Sequence, residues 1–168
     1  MRLDSVDRSD AELIAASRNG SDDAFEALYR RYRDWAAALA FEFCANRDDA
    51  LDVLQDVFLY VHRRLPTFEL RCRFKTFLYP VVKHLALDRK RLARRTPPPT
   101  VQPIETPVGG IEHLLANLPE GHRDVVRLRF VDDLDLAEIA EALEIPLGTV
   151  KSRLHTALNL LRKNPKSE

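Results

Sequence analysis

Apolar residues recur at helical spacing along most of the chain. Leu13 and Ile14 follow Ser9 and Glu12, an S-x-x-E pattern that predicts a capping box opening a short helix, and Asn19-Gly20 closes it. Ser21, with Asp22 and Asp23 behind it, predicts the next start, because a helix N-terminus favours a hydroxyl acceptor and then acids along its dipole. Phe25, Leu28, Tyr29, Tyr32, Trp35, Ala36 and Leu39 fall on one face of that helix. Asn46, followed by Asp48 and Asp49, predicts a third start. Leu51, Leu54, Phe58, Val61 and Leu65 form its apolar stripe, and Pro66 stops it. Residues 66–73 read as a loop, and Phe74, Phe77, Leu78, Val81, Val82 and Leu85 predict a fourth helix. Pro80 suits that helix only near its first turn, so the start is expected near Thr76, or else a kink at 80.

The pattern lapses from Thr96 to Gly110. Prolines 97, 98, 99, 103 and 107, two glycines and no basic residue predict an extended linker there. Helices are expected again near 111–117, 119–130, 135–143 and 147–163, and no strand is expected anywhere. The fold class is therefore all-α: two small helical domains joined by a Pro-rich linker, the C-terminal one a helix-turn-helix. The expected boundaries are a flexible N-terminus over 1–9, a first domain over 10–95, a linker over 96–112, a second domain over 113–164 and a tail over 165–168.

The last two helices carry the helix-turn-helix pattern. Asp135 and Glu138 predict a cap and its reciprocal partner, and Leu136, Ile139, Ala140 and Leu143 line a buried face. Glu144-Ile145-Pro146 turns the chain, and Val150, Leu154, Ala157 and Leu161 face inward on the second helix. Its other face displays Thr149, Lys151, Ser152, Arg153, His155 and Thr156, short polar or basic side chains suited to phosphates and base edges. A plain antiparallel helix pair has the same spacing. The charge separates the two readings: residues 132–144 carry six acids and no base, and residues 147–167 carry five bases and no acid.

Composition adds limits. The chain has 168 residues, 45% hydrophobic and 31% charged, with only 5 glycines, which suits a helical globular protein. No apolar run approaches the roughly 18 residues of a spanning helix. The polar, acidic start from Met1 to Asp10 lacks a signal-peptide pattern, so a cytoplasmic location without membrane insertion is expected. Cys44 and Cys72 make no disulfide framework. Cys44 reads as a small apolar filler, and Cys72 among its charges is harder to read.

The zero net charge hides a strong pattern. Residues 1–60 are net −6, residues 61–95 net +9, residues 96–122 net −3 and residues 123–168 neutral. One basic block in a neutral chain points to a polyanion met at one place, with a solvated charged face as the alternative. In that block Arg71, Arg73, Lys75, Lys83, Arg89, Lys90, Arg91, Arg94 and Arg95 interleave with Phe68, Phe74, Phe77 and Tyr79. Cations hold phosphates, and aromatic rings stack on unpaired bases. Phe74 and Phe77 lie on the apolar stripe, so core packing is their ordinary use; Phe68 and Tyr79 read as freer. His84 and Asp88, one turn apart, either read bases or pair locally. Enzyme chemistry finds no support: histidines 62, 84, 113, 122 and 155 lack metal-ligand spacing, and no glycine-rich phosphate loop or nucleophile constellation is present. No metal and no cofactor is expected.

Three segments resemble a known family. LPEGHRDVVRLRFVDDLDLAEIAEALEIPLGTVKSRLHTALNLLR, from Leu118 to Arg162, closely resembles the promoter −35-binding domain of extracytoplasmic-function (ECF) sigma factors. DALDVLQDVFLYVHRRLPTF over 49–68 resembles their helix that docks on RNA polymerase, and RFKTFLYPVVKHLALDRKR over 73–91 resembles their −10-reading segment. The resemblance implies that Asp52, Gln55, Asp56 and Phe58 meet core polymerase. It implies −10 DNA contacts at Phe68, Arg71, Arg73, Lys75, Tyr79, Lys83, His84, Asp88 and Arg91, with loop 67–73 forming part of a base pocket. It implies −35 contacts at Thr149, Lys151, Ser152, His155 and Thr156, and a phosphate contact at Arg153. The implied partners are core RNA polymerase, promoter DNA that is duplex at −35 and single-stranded at −10, and an anti-sigma protein; the free chain is expected to be a monomer. The chain departs from the family pattern at Phe77, where Trp is usual, at Pro80, where Arg is common, and at His84, where Asn is common. The competing reading is a polymerase-independent helix-turn-helix regulator, which would bind duplex tightly by itself.

Overall fold

A computed structural model of the chain describes residues 8–95, 115 and 117–163. The chain divides into two units, Met1–Pro99 and Thr100–Glu168. The expected linker, most of the expected helix near 111–117 and the tail lie outside the described residues.

In the first unit, α1 (Asp10–Arg18) begins at a capping box: the Ser9 hydroxyl accepts from the Glu12 amide, and the Glu12 carboxylate accepts from the Ser9 amide at 2.8 Å. Asn19 ends α1, and Gly20 supplies the left-handed φ of 88° that turns the chain into the next helix. Ser21 caps α2 (Asp22–Cys44), and the Asn46 side chain caps α3 (Arg47–Arg64) by accepting from the Asp48 and Asp49 amides. A 3-10 turn at Leu65–Thr67 carries Pro66 and stops α3. α4 (Phe74–Arg95) completes the unit.

α2 is the central element, packing against α1, α3 and α4. It buries Ala24, Leu28, Tyr32, Ala36, Leu39 and Ala40, one continuous helical stripe. The tie to α1 is polar: Arg31 donates to the Asp10 carboxylate at 2.6 Å, and the Tyr32 hydroxyl donates to the same carboxylate. α3 and α4 are joined by Arg89, whose Nε donates to Asp49 at 3.1 Å while its other end pairs with Asp52. Neither Cys44 nor Cys72 is in a disulfide, and the Cys44 thiol points at the Ala86 carbonyl 3.7 Å away.

Two expectations need correction. Leu51 is not on the buried stripe of α3 but 50% exposed; the stripe runs through Ala50, Val53, Leu54, Val57, Phe58 and Val61, one step out of phase with it. α4 starts at Phe74, ahead of Thr76, so Pro80 lies inside the helix and not in its first turn. Pro80 has no N–H to offer the Thr76 carbonyl. Burial of Phe74, Leu78, Tyr79 and Val82 around it outweighs that lost bond.

In the second unit, α5 (Glu120–Phe130), α6 (Leu136–Leu143) and α7 (Leu147–Lys163) form a trihelical cluster in which α7 packs on both others. Leu115, Leu118, Val126 and Ala157 form a core, with Leu154 and Leu161 packed on it. Asp135 caps α6 in a second capping box with Glu138. Glu144, in the left-handed region at φ 54°, ends α6, and its following residue Ile145 donates back to Ala140 at 3.0 Å. Pro146 then opens α7 by accepting from Thr149 and Val150.

Replacing Pro80 by Ala restores a donor for Thr76 and should stabilise the first unit. An interior Pro costs a helix about 3 kcal/mol, less what the native packing has already absorbed and the unfolded-state rigidity that Pro supplies, so a gain of about 1–2 kcal/mol is expected. Urea unfolding checks it, and a lower midpoint for Pro80→Ala would refute it. The Glu12 carboxyl is held below its ordinary range by the Ser9 hydroxyl and amide. A depressed folded pKa means the capping box stabilises above the ordinary glutamate range and is lost as pH falls through the lower folded value. The protection of the Leu13 and Ile14 amides, taken relative to their intrinsic exchange rate at each pH, should therefore fall on acidification, and Glu12→Gln should flatten that dependence.

Candidate functional site

Three surfaces gather the residues singled out by the sequence. The first lies between α2 and α3, an open depression of about 580 Å³ lined by Phe25, Tyr29, Leu51, Asp52, Leu54, Gln55, Phe58, Leu59 and His62. Its floor is aromatic: the Phe58 ring meets Tyr29 edge-on at 4.8 Å and Phe25 at 6.3 Å. Phe58 is only 5% exposed, so it shapes the floor and does not reach outward. Asp52, Gln55 and Asp56 are exposed on the rim side of α3. The sequence reading missed Leu59, 47% exposed, as well as the lining role of Phe25 and Tyr29. The signal was present: Leu51 and Leu59 stand two turns apart, off the buried stripe of their own helix.

A second surface is built by the turn after α3 and the start of α4. Arg64, Thr67, Phe68, Glu69, Arg71 and Phe77 line an open depression of about 490 Å³. Phe68 and Phe77 pack with ring centroids 4.4 Å apart, and Arg71 pairs with Glu69 at 3.2 Å. This hollow offers an aromatic wall together with donors and an acceptor, the ingredients for holding an unstacked base. Farther along α4, His84 lies 3.2 Å from Asp88, which also accepts from Arg91 at 3.1 Å. His84, Asp88 and Arg91 are exposed and lie on the stripe that Phe77 begins, since steps of seven, four and three residues keep to one helix face.

Other residues of the basic block are turned elsewhere. The Lys75 ammonium sits 5.5 Å from the centre of the Trp35 ring, and the Lys83 ammonium 5.4 Å from that of Phe43. Both lysines are half-buried along the seam with α2, and Arg89 is taken by Asp49 and Asp52. Tyr79 is a correction: it is fully buried, so its ring is core and not a stacking platform. One residue beyond Leu78, it falls among Phe74, Val82 and Ala86 on the inward face of α4. Arg73 stays exposed.

The third surface is the outward face of α7. Lys151, Ser152, His155 and Thr156 are exposed, whereas Val150 and Ala157 are buried and Thr149 and Arg153 are half-buried. His155 and Asn159 share a hydrogen bond of 3.0 Å one turn apart. The arginines of α5 serve the fold. Arg123 donates to the Leu115 and Leu118 carbonyls at 3.1 Å each, Arg129 to the Leu134 carbonyl at 2.9 Å, and Arg127 pairs with the buried Asp132 at 3.7 Å. Burial pushes the Arg127 pKa down, opposed by Asp132. Polar and basic side chains at the solvent side of this helix thus come from α7. No group of His, Cys, Asp and Glu among the described residues could hold a metal ion, and no described helix is long and apolar enough to cross a membrane.

Comparison with known proteins agrees with this arrangement. Residues 28–96 match the family Sigma-70 region 2, and residues 114–163 match Sigma-70, region 4. The chain is 32% identical over 157 residues to the ECF RNA polymerase sigma factor SigM of Mycobacterium tuberculosis H37Rv, covering 88% of this chain and 80% of that protein. It is 28% identical over 175 residues to the ECF RNA polymerase sigma factor SigW of Bacillus subtilis, covering 89% and 93%. Among solved structures, its fold resembles CnrH in complex with the cytosolic domain of CnrY, with a TM-score of 0.69, 24% identity and coverage of 92% and 95%. It also resembles RpoE of Bartonella quintana in complex with the anti-sigma factor NepR, with a TM-score of 0.62, 18% identity and coverage of 83% and 94%.

The Arg127–Asp132 pair spans the turn from α5 to α6 and should hold the helix-turn-helix in shape. Removing Asp132 takes a counter-charge from the largely buried Arg127, so Asp132→Ala is expected to destabilise the unit by about 3–5 kcal/mol. Replacing both, as Arg127→Met with Asp132→Leu, should cost markedly less. Chemical denaturation distinguishes these, and an equal loss in the single and double variants would contradict the pairing.

Proposed function

The chain belongs to the ECF RNA polymerase sigma factors, and on that premise we propose how its surfaces divide the work of promoter recognition. It is an alternative sigma factor that initiates transcription. In the proposed division, residues 10–95 dock on core polymerase and read the −10 element, residues 96–112 link, and residues 113–164 read the −35 element. Core polymerase meets Asp52, Gln55 and Asp56, with Phe58 shaping the apolar floor beside them. The −10 strand meets Phe68, Arg71, Arg73, His84, Asp88 and Arg91, while Lys75 and Lys83 contribute charge from the α2 seam. The −35 duplex meets Thr149, Lys151, Ser152, His155 and Thr156, and Arg153 holds a phosphate.

One observation carries this reading. Within a single unit, α3 exposes carboxylates beside an apolar hollow, while the following turn and α4 expose cations around a second hollow walled by rings. An acidic, apolar face suits a protein partner, and a cationic, aromatic one suits an unpaired strand.

The mechanism is recruitment and strand capture without covalent chemistry. Polymerase holds both DNA-reading elements, so the second contact forms at high effective concentration. Opening draws on trapped −10 bases: unstacking costs a few kcal/mol per base, offset by stacking and polar contacts in the hollow. The proposal includes an anti-sigma partner and a free form that is monomeric and cytoplasmic.

Addition of the chain to core polymerase should produce transcription from promoters recovered by sequencing the bound fragments, and failure to form a complex with core would sink the reading. Lys151→Ala and His155→Ala should each weaken −35-dependent binding by about 1–3 kcal/mol while leaving core affinity unchanged. Asp56→Arg should do the reverse. If about six phosphates are neutralised, log affinity should fall against log salt with a slope of roughly −5.

A further inference from the structure

We propose that Gly121 is a positioning residue for Arg153. Its missing side chain lets the guanidinium lie on the first turn of α5, which assigns Arg153 to the phosphate backbone flanking the groove and not to base edges. The inference rests on the reading of α7 as the recognition helix.

The geometry is specific. A Cβ placed on Gly121 would stand 2.8 Å from Arg153 Nη1, 3.1 Å from its Cζ and 3.5 Å from its Nε. The guanidinium therefore fills the space that any side chain at 121 would take. Gly121 needs no left-handed backbone, unlike Gly20 at φ 88°. It is the second residue of an ordinary helix, where Gly is a poor choice by propensity. Gly148, near the start of α7, meets nothing within 4 Å of such a Cβ. Close approach by Arg153 is thus the physical use that the structure gives Gly121.

The placement follows from the phase of α7. Val150 and Ala157 are buried and Leu154 packs on the α5 core, so Arg153 falls at the edge of the inward face. From there its side chain runs sideways across α5, while Lys151, Ser152, His155 and Thr156 project outward. A side chain held at the margin of a recognition helix meets the sugar-phosphate wall; those at the centre of the outward face meet base edges. A side chain at 121 would evict only the flexible tip of Arg153, leaving the backbone in place.

The test uses the full chain assembled with core polymerase, and promoter duplexes recovered by sequencing holoenzyme-bound fragments. Affinity is measured across a salt series for Gly121→Ala, Arg153→Ala and the double variant. Arg153→Ala should lower affinity by roughly fivefold to tenfold and flatten the salt slope by about one unit, without altering the preferred −35 sequence. Gly121→Ala should reproduce most of that loss although its Tm stays at or above the parent's, because Ala favours the helix. The double variant should be no weaker than Arg153→Ala alone. Parent-like affinity and slope for Gly121→Ala beside a weakened Arg153→Ala would overturn the inference, as would additive losses or a lowered Tm for Gly121→Ala. An Arg153→Ala variant with undiminished affinity would instead remove the phosphate contact on which the inference stands, and a changed base preference would make Arg153 a base reader.

Discussion

The first unit depends on one apolar stripe of α2. Three helices must share it, and its composition shows how. Leu28, Tyr32 and Leu39 supply buried area, while Ala24, Ala36 and Ala40 let neighbouring backbones approach closely. The surfaces proposed to meet polymerase and the −10 strand are by-products of that sharing. α3 gives its stripe to α2 and α4 and is left with Leu51, Asp52, Gln55, Asp56 and Leu59 outside. α4 buries Phe74, Leu78, Tyr79, Val82 and Ala86 and is left with His84, Asp88 and Arg91. In the hollow between α2 and α3 and in the hollow at the start of α4, this packing leaves rings without a full covering.

Ion pairs then decide which charges remain available. Arg89 belongs to the most basic stretch of the sequence, yet it joins α4 to α3 through Asp49 and Asp52. Its hydrogen bond to the Asp49 carboxylate pushes the Arg89 pKa up, which keeps the guanidinium charged. Asp52 is thereby shared between a fold contact and the proposed polymerase face. In the second unit Arg123, Arg127 and Arg129 are likewise committed to carbonyls and a buried carboxylate. Nucleic-acid affinity therefore rests on fewer cations than the sequence contains, which favours contacts that are individually placed over a diffuse basic field.

Local chemistry was the legible part of the sequence. Both capping boxes, the Ser21 and Asn46 caps and the stop at Pro66 depend on residues within three or four positions of one another, and each is where the pattern puts it. What escaped depends on partners far along the chain. Tyr79 reads as freely as Phe68 by spacing, but only the packing of α4 reveals that α4 buries a second row beside Phe74 and Leu78. Pro80 argued locally for a helix start that tertiary burial overrides. Leu51 is hydrophobic, but the phase of α3 denies it the buried face, and the mismatch marks the surface proposed to meet polymerase. Lys75 and Lys83 counted as cations for DNA, while their stems and charges are spent partly on Trp35 and Phe43.

The helix-turn-helix shows why recognition needs the rest of the chain. Its outward face presents Lys151, Ser152, His155 and Thr156, with Arg162 and Lys163 exposed at the end of α7 and Arg153 held at the margin. A few base contacts of about 1–3 kcal/mol each, with few phosphate contacts beside them, fall short of a tight specific complex once the loss of translational and rotational freedom is subtracted. The same holds for the open hollow at the start of α4, which must also offset the unstacking of any base it takes. Two weak readers become selective when polymerase fixes their separation, because only DNA carrying both elements at the right spacing gains both contacts from one association. The committed arginines fit that logic: a chain with a strong uniform basic field would bind any duplex and forfeit the discrimination that the spacing supplies.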